Sequence, residues 1–167
     1  MEFEQERLEF PPQRAYFIAA LVLINKNKEM LLVKEKNCDF WITPGGEIDY
    51  KKREQFLDGA LRETLEEIAI KIKERPKLID LTVCYPEGDN PYKEKNISMV
   101  VATYILNFPN EQKIKLIPSS VPEERKYDVK EYVWIKPEEI VKNKIKVPRY
   151  YITNVIPKIA SWIKNNE

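Results

Sequence analysis

Three glutamates near the middle of the chain, Glu63, Glu66 and Glu67, have the chemistry and the spacing of a divalent-cation site. Residues three and four apart lie on one side of an α-helix, so a helix here would present the three carboxylates together. Like charges at this spacing destabilise an exposed helix by roughly 0.2–0.5 kcal/mol per pair. Arg62 is the neighbouring cation, and residues 54–70 contain no lysine. We therefore expect Mg²⁺ or Mn²⁺ as the counter-charge, because these hard ions prefer carboxylate oxygen.

A helix is predicted around these residues, because apolar side chains recur on its other side at the helical period. The buried arc is expected to consist of Leu57, Ala60, Leu61, Thr64, Leu65 and Ile68. The alternative is that the glutamates form only a solvated helix face, since Glu is a good helix former. The residue types alone leave both interpretations open.

The segment from Gly45 to Ile70 resembles the signature of the Nudix hydrolases, Gly-x5-Glu-x7-Arg-Glu-U-x-Glu-Glu-x-Gly-U, where U is a bulky apolar residue. Every charged position of that signature is filled, and the spacing matches from the first glutamate onward. The matching charged residues are Glu54, Arg62, Glu63, Glu66 and Glu67. The resemblance weighs against a merely solvated helix face.

Three departures from the signature are visible, two of them at the ends of the helix. Seven residues separate Gly46 from Glu54 instead of five, so the loop before the helix is longer. Thr64 stands where an apolar residue is usual, although its methyl group can still pack. Ala69 replaces the final glycine, which costs roughly 1 kcal/mol if this position requires a left-handed backbone.

The resemblance implies hydrolysis of a diphosphate bond in a nucleoside diphosphate linked to another moiety, with Mg²⁺ or Mn²⁺ as cofactor. By matching positions, Glu66 and Glu67 are the principal metal ligands, and Glu63 is a third ligand or a base. A backbone carbonyl at Gly45 or Gly46 would add a further oxygen, because glycine lets the backbone approach an ion closely.

Other residues are expected to support this chemistry. Arg62 and Glu54 are predicted to pair and orient the metal ligands, since the guanidinium fork can bridge carboxylates. The general base in this family often comes from a late loop, so Glu131 is our first choice. Glu123, Glu124 and Glu63 itself are the alternatives.

The sequence indicates the residues that would contact the substrate less clearly than those that would bind the metal. Trp41, Tyr85 and Tyr92 are candidates for stacking on a base, and Arg125 and Lys126 are candidates for holding phosphate. For each of them the alternative is an ordinary core or surface residue.

The substrate class follows only from two further resemblances. Pro86 lies sixteen residues after Ile70, and a proline near that distance resembles the pattern of the Nudix hydrolases that cleave ADP-ribose. ADP-ribose or a nucleotide sugar is therefore our first prediction. A tyrosine at the position of Tyr85 resembles the pattern of the Nudix hydrolases that cleave dinucleoside polyphosphates, so such a substrate is one alternative. A nucleoside triphosphate is the other. A Nudix-like module that binds a nucleotide without turnover is the rival outside enzymes.

Composition narrows the function classes. The chain has 167 residues, which suits one domain, 1–167, and its net charge of +1 gives no signal for nucleic acid or anionic lipid. The absence of histidine excludes His-based catalysis and His-bound zinc. No apolar run is long enough to span a membrane and no basic signal peptide begins the chain, so we expect a cytoplasmic protein. The sequence leaves a homodimer open.

The order of predicted elements indicates an α/β/α sandwich around a mixed β-sheet, the fold that the resemblance also implies. Residues 1–14 are read as an N-terminal arm. Residues 148–167 are predicted to form a C-terminal helix that Pro157 bends. Strands are predicted at Tyr16–Ile24, Met30–Val33, Phe40–Thr43, Leu78–Tyr85, Ile97–Phe108 and Val129–Ile135, and a short helix is predicted to begin at Pro137.

Overall fold

The computed structural model describes residues 15–85, 97–109 and 111–166. Its strands are β1 (Ala15–Ile24), β2 (Met30–Glu35), β3 (Gly45–Glu47), β4 (Lys77–Cys84), β5 (Ser98–Asn107) and β6 (Val129–Ile135). Its α-helices are α1 (Phe56–Ile68), α2 (Pro137–Lys142) and α3 (Ile156–Asn165). Short 3₁₀ helices span Tyr50–Lys52 and Pro122–Tyr127, and a π-helical turn spans Tyr151–Val155.

The strands form one mixed sheet in the order β4-β5-β1-β2-β6, with β3 also paired to β1. β1 and β5 are parallel along their whole length, from Ala15 opposite Ser98 to Ile24 opposite Asn107. The remaining strand pairs are antiparallel. The prediction of a mixed sheet is therefore confirmed.

Helices cover both faces of this sheet, because the strands alternate apolar side chains between two cores. Leu21, Leu23 and Val33 face α1, whereas Val22 and Leu32 face the C-terminal helices. The α/β/α arrangement predicted from the order of elements is present. Within the described ranges, none of the helices is both long and apolar enough to cross a lipid bilayer.

The predicted strand Phe40–Thr43 is wrong. Only Ile42 bridges Val33, and the strand begins later, at Gly45, where a loop was expected. The glycines allow this because they let β3 lie close against β1. A Cβ atom on Gly45 would lie 2.3 Å from the carbonyl oxygen of Ala19. The double glycine therefore forms part of the sheet and is not a flexible turn.

The C-terminal helix contains a change of helix type where Pro157 predicted a bend. Residues 149 and 150 are already helical, the π-helical turn follows, and α3 begins at Ile156 with Pro157 in its first turn. Proline lacks an N–H group and its ring clashes with the carbonyl four residues earlier in an α-helix. The π-helical turn immediately before α3 avoids that geometry.

Candidate active site

Two of the three carboxylates of α1, those of Glu63 and Glu67, lie beside β3 and are largely withdrawn from solvent, whereas that of Glu66 is exposed. The side chain of Glu63 is only 17% exposed, whereas that of Glu66 is 58% exposed. Gly46 makes the close approach possible, because a Cβ atom there would lie 2.6 Å from the carboxyl carbon of Glu63. The predicted apolar arc is partly wrong at its edge, since Leu65 is 46% exposed.

The Arg62 guanidinium forms hydrogen bonds with three glutamate side chains of the site and with one backbone carbonyl. Its Nε and Nη2 atoms donate to the two carboxylate oxygens of Glu54 at 2.8 and 3.0 Å. Its Nη1 atom donates to Glu63 at 2.6 Å and to Glu66 at 3.0 Å, and Nη2 also donates to the carbonyl oxygen of Glu47 at 3.0 Å. The predicted pairing of Arg62 and Glu54 is present, and these hydrogen bonds hold the pKa of Glu54 below its usual value.

The longer loop before α1 folds into a compact turn. Asp49 caps the 3₁₀ helix by accepting a hydrogen bond from the N–H of Lys52, and Arg53 adopts a left-handed conformation with φ of 56°. The N–H of Asp49 donates to Glu54 Oε2 at 2.7 Å, and the N–H of Glu54 donates to the Asp49 carbonyl oxygen at 3.1 Å. The two additional residues are thus absorbed while Glu54 still reaches Arg62.

Glu67 contacts the backbone of the double glycine. Its Oε2 atom accepts a hydrogen bond from the N–H of Gly45 at 3.1 Å. Burial and the neighbouring charges of Glu63 and Glu35 raise the pKa of Glu67 well above its usual value. Burial also raises the pKa of Glu63, against the opposing charge of Arg62. If all of these carboxylates were ionised, they would carry more negative charge than Arg62 neutralises.

Glu35, at the end of β2, belongs to this cluster and was missed by the sequence reasoning. Burial and the charge of Glu63 raise its pKa to about 7. Strand alternation was the available signal, because Glu35 lies two residues after Val33 and on the same face of the sheet. The sequence did not reveal that this face is the one that α1 covers.

The donor set fits a hard divalent cation by its chemistry. Burial raises the pKa values of Glu35, Glu63 and Glu67. The charge of Glu63 adds to this effect at both Glu35 and Glu67, and a cation would relieve the repulsion. In the described part of the chain, no group of three such side chains is already arranged around a single ion position. Instead, Arg62 forms ion pairs with Glu63 and Glu66.

The structure does not bring Glu131 together with the α1 carboxylates. Glu131 pairs with Lys34 in the sheet, and Lys34 alternates with Val33, so both lie on the face opposite α1. Trp41 lies on that same face, with the Lys34 ammonium 5.6 Å from its ring centre. The side chain of Glu131 is half exposed, with its nearest ammonium on Lys130 at 3.8 Å.

The remaining candidates lie in two surface regions. Glu123, Glu124 and Arg125 belong to the 3₁₀ helix before β6, where Arg125 donates to the carbonyl oxygen of Ser119 at 3.1 Å. Tyr85 follows β4 and is 70% exposed. The other candidates that follow Tyr85 in the sequence, namely Pro86 and Tyr92, lie outside the described residues.

Residues 15–155 match the sequence profile of the NUDIX domain. The chain belongs to the NUDIX domain family. It is a hydrolase of that family, and the general activity of the family is hydrolysis of pyrophosphate linkages in nucleotide-type substrates. The resemblance seen in the residues 45–70 is therefore confirmed, and the family typically depends on divalent metal. A comparison with curated proteins finds no match.

Solved NUDIX structures share this fold at low sequence identity. The MutT protein from Methanosarcina mazei Go1 is 17% identical, with a TM-score of 0.65 over 93% of this chain and 98% of its own. The Ap4A hydrolase of C. elegans is 20% identical, with a TM-score of 0.67 over 90% and 98%. The NUDIX domain of Shewanella oneidensis NrtR, solved with ADP ribose, is 15% identical, with a TM-score of 0.66 over 98% and 99%.

Proposed function

We propose that this NUDIX hydrolase is a Mg²⁺- or Mn²⁺-dependent enzyme that cleaves the diphosphate bond of a nucleoside diphosphate linked to another moiety. The observation that carries this proposal is the packing of mutually repelling carboxylates against β3 beside a single ordering guanidinium, that of Arg62. Such an arrangement disfavours ionised carboxylates unless a cation joins them, and a hard divalent cation is chemically suited to this position. A solvated helix face would show no such burial.

Each residue of the cluster has a role in this proposal. Glu63, Glu66 and Glu67 would hold the ion, and Glu35 adds a further negative charge on the same face. When bound, the metal would offset the charge of the diphosphate and lower the pKa of the attacking water. Arg62 keeps the carboxylates oriented, because its planar fork fixes their positions as well as their charge.

ADP-ribose or a nucleotide sugar is the proposed first substrate class. The likeness over nearly the whole chain to the NrtR domain, solved with ADP ribose, supports a ligand of this class. The likeness to the C. elegans Ap4A hydrolase keeps a dinucleoside polyphosphate as the alternative. In either case Tyr85 is the more accessible candidate for stacking on a base, because it is 70% exposed whereas Trp41 is partly buried on the face opposite α1.

The base that takes the proton from the attacking water stays a prediction. Glu131 remains a candidate although it lies across the sheet, and Glu123 and Glu124 lie on a segment that an ion pair between Lys36 and Asp128 attaches to the end of β2. Replacing Glu131, Glu123, Glu124 and Glu63 with glutamine, one at a time, distinguishes these candidates. The variant of the base loses turnover but keeps its affinity for Mn²⁺, whereas the variant of a metal ligand loses both.

The test of the proposal incubates the protein with Mg²⁺ or Mn²⁺ and four substrate classes: ADP-ribose, nucleotide sugars, dinucleoside polyphosphates and nucleoside triphosphates. Release of AMP from ADP-ribose is the expected result, and Glu67→Gln should abolish it. Glu138→Gln, an exposed glutamate on α2, is the matched control and should retain it. Failure to release AMP, another nucleoside monophosphate or pyrophosphate from any class would favour a module that binds nucleotide without turnover.

A further inference from the structure

The segment of residues 41–45, which leads into β3, is held at every residue by a different part of the molecule. The N–H of Trp41 donates to the Lys146 carbonyl oxygen at 2.9 Å, and Ile42 exchanges two hydrogen bonds with Val33. At its other end, the Pro44 carbonyl oxygen accepts from Leu21 at 2.8 Å, and the N–H of Gly45 donates to Glu67 at 3.1 Å. Residues 41–44 precede β3 without forming a regular strand, yet hydrogen bonds define their position.

Thr43 occupies the middle of this segment and is held by a side chain 108 residues away. The hydroxyl oxygen of Tyr151 accepts from the N–H of Thr43 at 2.8 Å and lies 2.7 Å from Thr43 Oγ1. Both residues are only 2% exposed. Buried polar groups need hydrogen-bond partners, so the Tyr151 hydroxyl satisfies two groups that water does not reach.

Tyr151 reaches this position from the first residue of the π-helical turn. Such turns occur often at functional sites, where they change the direction of a side chain. The same turn is attached to β4 by a second, separate contact, in which Asn154 Nδ2 donates to Thr82 Oγ1 at 3.0 Å. Burial raises the pKa of Tyr151, against the hydrogen bonds with Thr43, which lower it.

We propose that Tyr151 is a positioning residue of the active site, which acts through Thr43 on the backbone that presents Gly45 to Glu67. The chain of contacts runs from the Tyr151 hydroxyl to Thr43, through Pro44, to the Gly45 N–H and then to a carboxylate proposed to bind metal. The C-terminal helix is thus part of the catalytic machinery as well as part of the core. This inference rests on the proposed function, since it assigns a role in the same site.

Tyr151→Phe in the full chain tests the proposal, because it removes the hydroxyl and keeps the ring. We expect kcat to fall at least tenfold with KM changed less than threefold, and the Mn²⁺ dissociation constant, measured without substrate, to rise at least fivefold. Asn154→Ala is the matched control, because it removes the other contact of the same turn. It should remain within twofold of the wild type in kcat and in Mn²⁺ affinity.

Substitutions of Thr43 provide a second test of the proposal. Thr43→Ser keeps the hydroxyl and should behave as the wild type, whereas Thr43→Val should lower Mn²⁺ affinity and turnover. Thr43→Val combined with Tyr151→Phe should be no worse than Tyr151→Phe alone, because Tyr151→Phe already removes the hydroxyl that Thr43 Oγ1 contacts. This test also decides the matter if Tyr151→Phe does not fold.

The outcomes separate this inference from the proposed function. If the wild type hydrolyses no substrate, the proposed function fails, but weaker Mn²⁺ binding in Tyr151→Phe and not in Asn154→Ala still supports the positioning role. If the wild type is active and Tyr151→Phe equals it in turnover and Mn²⁺ affinity, the positioning role is overturned. Equal losses in Tyr151→Phe and Asn154→Ala would also overturn it, because they would indicate general loosening of the helix.

Discussion

Replacing Glu35 with glutamine should stabilise the metal-free protein above neutral pH. Burial and the charge of Glu63 raise the pKa of Glu35 from 4.5 to about 7, so the folded protein favours the neutral carboxyl group. Forcing that group to ionise costs of order 3 kcal/mol, at about 1.4 kcal/mol for each pH unit between the two pKa values. Glutamine retains a neutral, similarly shaped side chain and avoids this cost.

The direction of the pH dependence follows from proton binding. Between pH 4.5 and about 7 the folded protein keeps a proton on Glu35 that the unfolded chain has lost. The stability of the wild type should therefore fall as the pH rises through this window and level off above it. Glu63 and Glu67 titrate with the same sign, because their pKa values are also raised. The difference between wild type and variant measures the part due to Glu35, together with its effect on the pKa of Glu67.

Urea unfolding in EDTA at pH 5, 6, 7 and 8 measures this difference. We expect Glu35→Gln to match the wild type within about 1 kcal/mol at pH 5 and to exceed its free energy of unfolding by up to about 3 kcal/mol at pH 8. Glu131→Gln, whose side chain is half exposed, is the matched control and should show no such trend. A difference that is constant with pH, or that shrinks as the pH rises, would refute the assignment of Glu35 to the repelling cluster.

Three further substitutions test the site and its helix. Gly46→Ala should lower activity at least tenfold with little loss of stability, because the new methyl group would displace the Glu63 carboxylate; unchanged turnover would contradict this contact. Ala69→Gly should raise the free energy of unfolding by roughly 1 kcal/mol in urea, because Ala69 has a left-handed φ of 58°; a destabilised variant would oppose this reasoning. Arg62→Lys should lower the free energy of unfolding by roughly 1–3 kcal/mol and lower activity at least tenfold, because lysine cannot form the bidentate bond to Glu54. Wild-type values in urea unfolding and hydrolysis assays would show that the positive charge alone suffices.

Local spacing made much of the site predictable. The fork from Arg62 to Glu54, and the carboxylates three and four residues apart on α1, depend on contacts within one short stretch of chain. The left-handed position at Ala69 follows in the same way from the end of the helix. The mixed sheet was also predicted, because apolar runs between polar turns mark strands whatever their partners are.

The remaining features needed the tertiary structure. Phe40–Thr43 has the composition of a strand, yet only Ile42 bonds to a neighbouring strand, whereas Lys146 and Tyr151 accept from the N–H groups of Trp41 and Thr43. Glu35 and Glu131 are both glutamates on adjacent strands, and only the packing of α1 decides which of them joins the site.

The amino-acid sequence by itself determined the family, the carboxylates of α1 and the arginine that orders them, because these depend on residue type and helical period. Only the folded chain decided which distant groups meet that helix. Period-2 alternation tells which strand residues share a face, but not which face a helix will cover. For the same reason, the contact between Thr43 and Tyr151 became visible only once the two ends of the chain lay together.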